Sequence, residues 1–99
     1  MAQWYENGGY EVVDRNWRCV GIGEIDVVAR RGTVLVVCEV KTRSSESHGT
    51  ALEAVGARKQ ERLRRATCDW LEVTATTCRV RFDVAAVTAD VIEVIEGAF

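Results

Sequence analysis

The sequence has 99 residues, of which 47% are hydrophobic and 28% are charged, and its formal net charge is −2. This length fits one domain with a single modest core and is too short for two. There is no apolar run of the roughly 20 residues that a membrane-spanning helix needs, and no signal-peptide pattern at the N-terminus. We therefore expect a cytoplasmic protein that makes no membrane contact.

The four cysteines show no pattern of a metal site or a redox motif. They form no CxxC pair and have no neighbouring histidine pair, so a structural zinc site is not expected. Cys38 falls within an apolar strand and Cys68 within a helical pattern. Because a free cysteine behaves as a small hydrophobe, we expect both to pack in the core.

The charge is distributed unevenly along the chain. Residues 15 to 65 hold eleven Arg or Lys against six Asp or Glu, whereas both ends are acidic. A local basic surface can bind phosphates even on an acidic protein, so nucleic acid is a possible partner.

The first predicted elements are a short helix and a strand. Met1 to Asn7 can form the last turns of a helix, with Gly8 and Gly9 as its stop signal. Tyr10 to Arg18 is predicted as a strand, and its imperfect alternation of apolar and polar residues is typical of a sheet edge.

A β-hairpin is predicted next. Two β-rich runs, Glu24 to Ala29 and Val34 to Thr42, flank a turn in which Gly32 supplies the backbone freedom that a tight reversal needs. The polar stretch Ser44 to Thr50 follows and is predicted as a loop at the entrance to any site on the hairpin.

The predicted register of the hairpin brings carboxylates together. If the turn centres on Arg31 and Gly32, Asp26 lies across from Val37. Because side chains alternate between faces, one face then carries a charged set: Glu24, Asp26, Val37, Glu39 and Lys41. On that face Asp26 and Glu39 are diagonal neighbours about 7 Å apart at the backbone, close enough for both carboxylates to reach one cation.

A long amphipathic helix is predicted from Ala57 to about Val73. Its apolar stripe has helical spacing and consists of Leu63, Ala66, Trp70 and Val73. A second side is strongly basic and carries Arg58, Lys59, Arg62, Arg64 and Arg65. The simpler interpretation is a solvated helix face without a binding role. The alternative is a surface that binds DNA phosphates, formed by Arg58, Lys59, Arg62 and Arg65 with Arg43.

The last predicted elements are strands. Cys78 to Thr88 follows a helical crossover, so it should run parallel to the strand that contains Glu39. Asp83 is an acid in this apolar strand, and we expect it to pair with a helix arginine rather than to bind metal. Val91 to Ile95 is predicted as an edge strand, and Phe99 should pack against the core.

The hairpin carboxylates suit one kind of chemistry in particular. Oxygen ligands of this kind bind Mg²⁺ or Mn²⁺, and Lys41 beside them could orient a water or stabilise charge on a phosphate. The alternative is a set of solvated charges in which Lys41 merely neutralises Glu39. The same face begins apolar at Leu35, which is typical of a site at the edge of a core.

These residues resemble a known family. Asp26, followed thirteen positions later by Glu39-Val40-Lys41, matches the core motif of the PD-(D/E)XK nuclease superfamily. Within that superfamily the sequence resembles the YraN-like family of small bacterial proteins, which are similar to archaeal Holliday-junction resolvases. The similarity extends from Tyr10 to Phe99 and rests on GEID, EVKTRSS, Ala54-Val55, Arg58-Lys59-Gln60 and Arg81-Phe82-Asp83-Val84.

The resemblance implies a fold and an activity. Residues 1–99 would form one restriction-endonuclease-like α/β domain, with a mixed sheet of four or five strands flanked by helices. Asp26 and Glu39 would bind Mg²⁺ or Mn²⁺, Lys41 would act in catalysis, and Lys59 or Gln60 would complete the site. The first helix is longer in the family and carries a further acidic residue, so it is expected to be truncated here; a homodimer is also implied.

Two functions from different classes remain open at this point. The first is a metal-dependent endonuclease that acts on DNA, with branched DNA as a candidate substrate and Asp26, Glu39 and Lys41 as its catalytic residues. The second is a non-catalytic module with a nuclease-like fold that binds nucleic acid or a protein.

Overall fold

The fold is known from a computed structural model, which describes residues 1–42, 55–89 and 91–99. The predicted loop after the hairpin and Arg43 lie outside these ranges. The elements are α1 (Ala2–Asn7), β1 (Glu11–Cys19), β2 (Gly23–Arg31), β3 (Val34–Thr42), α2 (Ala57–Val73), β4 (Arg79–Val87) and β5 (Ile92–Ile95). Neither helix in the described ranges is long and apolar enough to cross a membrane.

The five strands form one mixed sheet in the order β1-β2-β3-β4-β5. Neighbouring strands are antiparallel except β3 and β4, which run parallel. This parallel pair confirms the prediction from the helical crossover, because a strand that returns through a helix enters the sheet in the same direction.

The two helices cover opposite faces of the sheet. Val36 of β3 packs in one cluster with Tyr5 of α1. Leu35 and Val37 pack in another cluster with Trp70 of α2. Successive side chains of a strand point to opposite faces, so β3 contributes to both halves of the core.

The bounds of α2 are as predicted, but the predicted burial of Val73 and of Cys68 is wrong. Val73 is 71% exposed, because it is the last residue of α2 and lies beyond the last buried contact at Trp70. Thr67 is buried instead, and its hydroxyl donates a hydrogen bond of 2.7 Å to the Leu63 carbonyl one turn earlier. Cys68 is exposed because it follows Thr67 by about 100° around the helix, whereas Cys38 is buried as predicted.

The hairpin register differs from the predicted one by two residues. Val28, not Asp26, lies across from Val37, and the closing pair is Arg31 with Val34. The two turn residues are therefore Gly32 and Thr33, and the φ of +61° at Gly32 is typical of the first position of a type II′ turn. A shift of two residues preserves the alternation of faces but moves Asp26 closer to Glu39.

Asp83 pairs within its own strand rather than with a helix arginine. The Arg81 guanidinium donates to both oxygens of the Asp83 carboxylate, at 2.9 Å each. In an extended strand, residues two apart lie on the same face, so Arg81 is nearer than any residue of α2, which covers the other face. Phe99 packs as expected, with its ring stacked 5.0 Å from that of Phe82.

Candidate functional site

Glu39 is the centre of a charged cluster on the α2 side of the sheet. The Lys41 ammonium, two residues later on β3, lies 3.5 Å from Oε1 of Glu39. The Lys59 ammonium, from the first turn of α2, lies 3.2 Å from the same oxygen. The structure thus brings Glu39 and Lys41 together as predicted and adds Lys59. Both lysine side chains remain about one-third exposed, at 33% and 36%.

The second oxygen of Glu39 has no such partners. Oε2 is buried and accepts no hydrogen bond from any residue in the described ranges. Burial, and then the nearby charge of Asp26, raise the pKa of Glu39, while Lys59 and Lys41 act in the opposite direction. A buried anionic oxygen without a partner is costly, so it marks a place where a cation would be stabilising.

Asp26 reaches this cluster from between the strands. The β2–β3 ladder ends at Val27 and Cys38. Beyond that pair, the Asp26 carboxylate accepts a hydrogen bond of 2.8 Å from the Val40 backbone N–H. Because strand N–H groups lie in the plane of the sheet, the carboxylate lies in the gap between β2 and β3. The prediction of a shared face is therefore corrected: Asp26 approaches Glu39 from the gap.

A distortion of the sheet at Asn16 accompanies this placement. Asn16 of β1 has a φ of +50°. The residues on either side of it pair with Val27 and with Ile25 of β2, so Asn16 lies between these two pairs. Val27 packs on the α1 side, whereas Ile25 packs on the α2 side. The facing of β2 therefore switches at Asp26, between these two residues. Asparagine tolerates positive φ better than most residues, which suits this position.

A cleft opens beside Asp26 on the α1 side of the sheet. Its volume is about 630 Å³, and its polar lining includes Gln3, Arg15, Asn16 and Thr42. Asn16 was not predicted as a site residue. The only signal in the sequence was the imperfect alternation of β1, which does not show which side a polar residue faces.

The basic residues of α2 have different surroundings. Arg62 lines a surface depression together with Lys59 and Glu24. Arg65 lines another with Ile22, and Arg58 is exposed. The guanidinium of Arg64 lies 5.2 Å from the centre of the Phe99 ring instead. Of the predicted nucleic-acid-binding set, only Lys59 contacts Glu39, and Arg43 lies outside the described residues.

Gln60 does not complete the site. Its side-chain amide donates a hydrogen bond of 3.1 Å to the Val55 carbonyl, before the start of α2. Of the two helix residues that the resemblance suggested, Lys59 is therefore the one that the fold places beside Glu39.

The candidate metal ligands of this site are the carboxylates of Asp26 and Glu39. No group of three or more His, Cys, Asp or Glu is brought together within residues 1–42, 55–89 and 91–99. Zinc sites usually need at least three protein ligands, so these residues do not fit zinc. Mg²⁺ is usually bound by one or two carboxylates with waters and substrate phosphates. Asp26 and the unpartnered oxygen of Glu39 fit that requirement.

Comparisons with known proteins give a consistent family assignment. The model of the uncharacterised protein family UPF0102 matches residues 1–87. A protein of Kineococcus radiotolerans is 62% identical over 82 residues, which is 81% of this chain but only 66% of that protein. A protein of Frankia casuarinae is 50% identical over 97 residues, with 92% of this chain and 81% of that protein covered. A protein of Moorella thermoacetica is 45% identical over 100 residues, with 94% and 82% covered. All three are named as UPF0102 proteins.

Proposed function

We propose that this chain, which belongs to the uncharacterised protein family UPF0102, is a metal-dependent endonuclease of the PD-(D/E)XK and YraN-like type that hydrolyses DNA phosphodiesters. The observation that carries the proposal is the surroundings of Glu39. One of its oxygens contacts two lysines. The other is buried and has no hydrogen-bond partner among the residues that the structure describes, and the charge of Asp26 is near enough to raise the pKa of Glu39. Branched DNA is the substrate suggested by the resemblance to resolvases, and the cytoplasm is the proposed place of action.

Asp26 and Glu39 would hold the Mg²⁺ or Mn²⁺ ion. Such an ion, when bound, supplies activation of a water and neutralisation of charge on the phosphate. Asp26 is preorganised for this task, because the Val40 N–H fixes its carboxylate in the gap between the strands. Glu39 is held in place by its strand and by the two lysines.

Lys41 and Lys59 would act on the substrate side of the cluster. Both lysine side chains are partly exposed, so they can contact water and a phosphate without leaving Glu39. Lys41 would orient the attacking water or stabilise the negative charge that develops on the phosphate. Arg58, Arg62 and Arg65 would bind the DNA backbone farther along α2.

A second candidate function is supported by the small number of ligands. Among the described residues no group of three or more His, Cys, Asp or Glu comes together, so Asp26 and Glu39 would have no third protein ligand from those residues. The same basic surface could then bind nucleic acid, or a protein, without cleaving it. A homodimer remains a prediction under either function.

The endonuclease proposal is tested with Asp26→Asn and Lys41→Ala. Wild-type protein should bind Mn²⁺ in a calorimetric titration and cleave a four-way junction or duplex DNA when Mg²⁺ is present. Lys41→Ala should lower the cleavage rate by at least about 100-fold, because it removes transition-state stabilisation, while Mn²⁺ binding is retained. Asp26→Asn should lose both Mn²⁺ binding and cleavage.

The two variants together separate the candidate functions. DNA binding by the wild type without any cleavage would favour the non-catalytic module. Cleavage that survives in Asp26→Asn would contradict the proposed metal site. Thermal unfolding of each variant serves as the control, because a misfolded Lys41→Ala protein would lose Mn²⁺ binding as well.

A further inference from the structure

The distortion of β1 at Asn16 involves one residue of β2 as well, Asp26. The pairs that flank these two residues keep one register: Arg15 with Val27, and Trp17 with Ile25. By this count Asn16 faces Asp26, but the two form no ladder pair. An ordinary β-bulge adds a residue to one strand only and shifts the register. Here each strand contributes one residue to the distortion, so the register is unchanged.

Both strands change the side of the sheet that they face at this point. On β1, Arg15 lines the cleft on the α1 side, whereas Trp17 packs in the cluster on the α2 side. On β2, Val27 and Ile25 likewise pack on opposite sides. Residues two apart in a regular strand share a side, so this reversal requires an irregular backbone between them. The φ of +50° at Asn16 supplies it on β1.

The consequence for Asp26 is visible in its hydrogen bond to β3. If the β2–β3 ladder continued in register, Ile25 would lie across from Val40, and a backbone carbonyl of β2 would accept the Val40 N–H. Oδ2 of Asp26 accepts that N–H instead, at 2.8 Å. The carboxylate therefore takes the place of a backbone acceptor in the gap between the two strands.

We propose that Asn16 is a positioning residue of the metal site, because its left-handed backbone lets Asp26 turn out of the β1–β2 ladder and direct its carboxylate into the gap near Glu39. This inference rests on the proposed binding of Mg²⁺ or Mn²⁺ by these two carboxylates. A regular extended conformation at residue 16 would return Asp26 to one face of the sheet. The Val40 N–H would then find a backbone acceptor, and the gap would lose its carboxylate.

The residue type at position 16 suits this role. Asn16 is exposed, so packing in the core does not explain it. Asparagine adopts positive φ several times more often than most residues, glycine does so freely, and a β-branched residue strongly disfavours it. Asn16 also lines the cleft beside Asp26, so a direct contact of its amide with a substrate is the alternative role. Glycine separates the two roles, because it keeps the backbone and removes the amide.

The test is Mn²⁺ affinity, measured by calorimetric titration of three variants at this position. Asn16→Gly should stay within about twofold of wild type, because glycine adopts positive φ without strain. Asn16→Ala should lose at least about threefold, because its Cβ disfavours the left-handed region. Asn16→Val should lose about tenfold or more, which is the usual effect of removing the support behind a metal ligand.

Ala75→Val is the matched control for backbone strain. Ala75 is exposed and has a φ of +52°, and it lies at the opposite end of α2 from Lys59. Valine there meets the same unfavourable conformation without a connection to Asp26. Its Mn²⁺ affinity should stay within about twofold of wild type. A loss as large as that of Asn16→Val would show that strain at any position weakens binding, and this would overturn the inference.

A second readout needs no metal. In NMR spectra of the metal-free protein, the nuclear Overhauser contact between the Val40 amide proton and the Asp26 β-protons should be present in wild type and in Asn16→Gly. It should be lost in Asn16→Val, because the Val40 N–H then pairs with the backbone of β2. If Asn16→Val does not fold, the weaker contact and the lower affinity expected of Asn16→Ala decide the matter.

The remaining outcomes separate this inference from the proposed function. If Asn16→Gly loses as much affinity as Asn16→Val, the amide acts directly and the inference is wrong. If wild type binds Mn²⁺ and Asn16→Ala and Asn16→Val bind it equally well, the inference is also wrong, but the proposed function stands. If wild type binds no Mn²⁺, the proposed metal site is wrong, and the contact between Val40 and Asp26 alone decides whether Asn16 positions that carboxylate.

Discussion

Glu39 is almost entirely buried, with 4% of its surface exposed, and this burial has an energetic consequence. Desolvation opposes the charged form, and Asp26 opposes it further; the two lysines compensate only in part, so the pKa of Glu39 is raised. The protein therefore keeps at this position a side chain that weakens the fold when it is ionised. Functional sites commonly carry such a stability cost.

The first residue-scale prediction concerns Glu39→Gln, an isosteric change without a titrating group. At pH 8 in EDTA this variant should have a free energy of unfolding higher than wild type by about 1 kcal/mol, because a buried charge is removed. The measurement is urea denaturation of both proteins across pH. Lys41 and Lys59 remain solvated through their exposed portions, so loss of Glu39 leaves no buried cation.

The sign of the pH dependence follows from the raised pKa. A carboxyl whose folded-state pKa is raised contributes stability that is present below its unfolded pKa of about 4.3 and is lost as pH rises through the folded pKa. The gap between Glu39→Gln and wild type should therefore close as the pH is lowered to about 4. A variant less stable than wild type at pH 8 would mean that the ion pairs outweigh the burial of Glu39.

At the scale of the elements, the hairpin shows what the sequence could and could not reveal. Its two strands were predictable from their β-rich composition around Gly32, and the pair Glu39 and Lys41 follows from alternation. The register was not predictable, because the same glycine can occupy either central position of a two-residue turn. The position of Asp26 depends on that register and on the distortion at Asn16, which has no sequence signal.

The helix α2 was predictable from its apolar spacing, since Leu63, Ala66 and Trp70 recur at helical intervals over about two turns. The sequence predicts that α2 has a basic face, but it does not show what each basic residue of that face contacts. Which cation contacts Glu39 depends on how α2 crosses the sheet, and only the structure shows that it is Lys59. Likewise Arg64 looks equivalent to Arg62 in the sequence but lies against Phe99 and Phe82.

This difference gives an element-scale prediction for α2. Arg58→Gln with Arg62→Gln should reduce the slope of log affinity against log salt for duplex DNA by about one unit per lost phosphate contact. Arg64→Gln is the matched control, because its guanidinium is held near two aromatic rings, and it should change the slope by less than about half a unit. Anisotropy titrations at several salt concentrations measure these slopes. If Arg64→Gln lowers the salt slope as much per arginine as Arg58→Gln with Arg62→Gln, the proposed difference between Arg64 and the other two arginines is wrong.

At the scale of the whole molecule, the sheet separates two kinds of polar structure. On the α2 side, Oε2 of Glu39 has no hydrogen-bond partner within residues 1–42, 55–89 and 91–99, whereas on the α1 side both oxygens of Asp83 accept hydrogen bonds. Asp83 is completely buried, yet it accepts hydrogen bonds from Tyr5 of α1, from Arg81 and from the backbone N–H of Gly97. One carboxylate thus joins the first helix, β4 and the segment after β5.

Because both oxygens of the buried Asp83 carboxylate accept two hydrogen bonds each, we expect this residue to stabilise the fold. The Tyr5 hydroxyl donates to Asp83 at 2.7 Å, so Tyr5→Phe removes one donor and keeps the ring, which is fully buried. Unfolding free energy should fall by about 1 to 2 kcal/mol in urea denaturation, because Asp83 keeps Arg81 and Gly97 as partners. In Asp83→Asn the bidentate partner of Arg81 is lost as well, so its cost should be about 3 kcal/mol or more. A double-mutant cycle between Tyr5→Phe and Asp83→Ala isolates the hydroxyl contact, because alanine leaves the Tyr5 hydroxyl no acceptor at this position, and a coupling energy below about 0.5 kcal/mol would show that this hydrogen bond adds little to the stability of the fold.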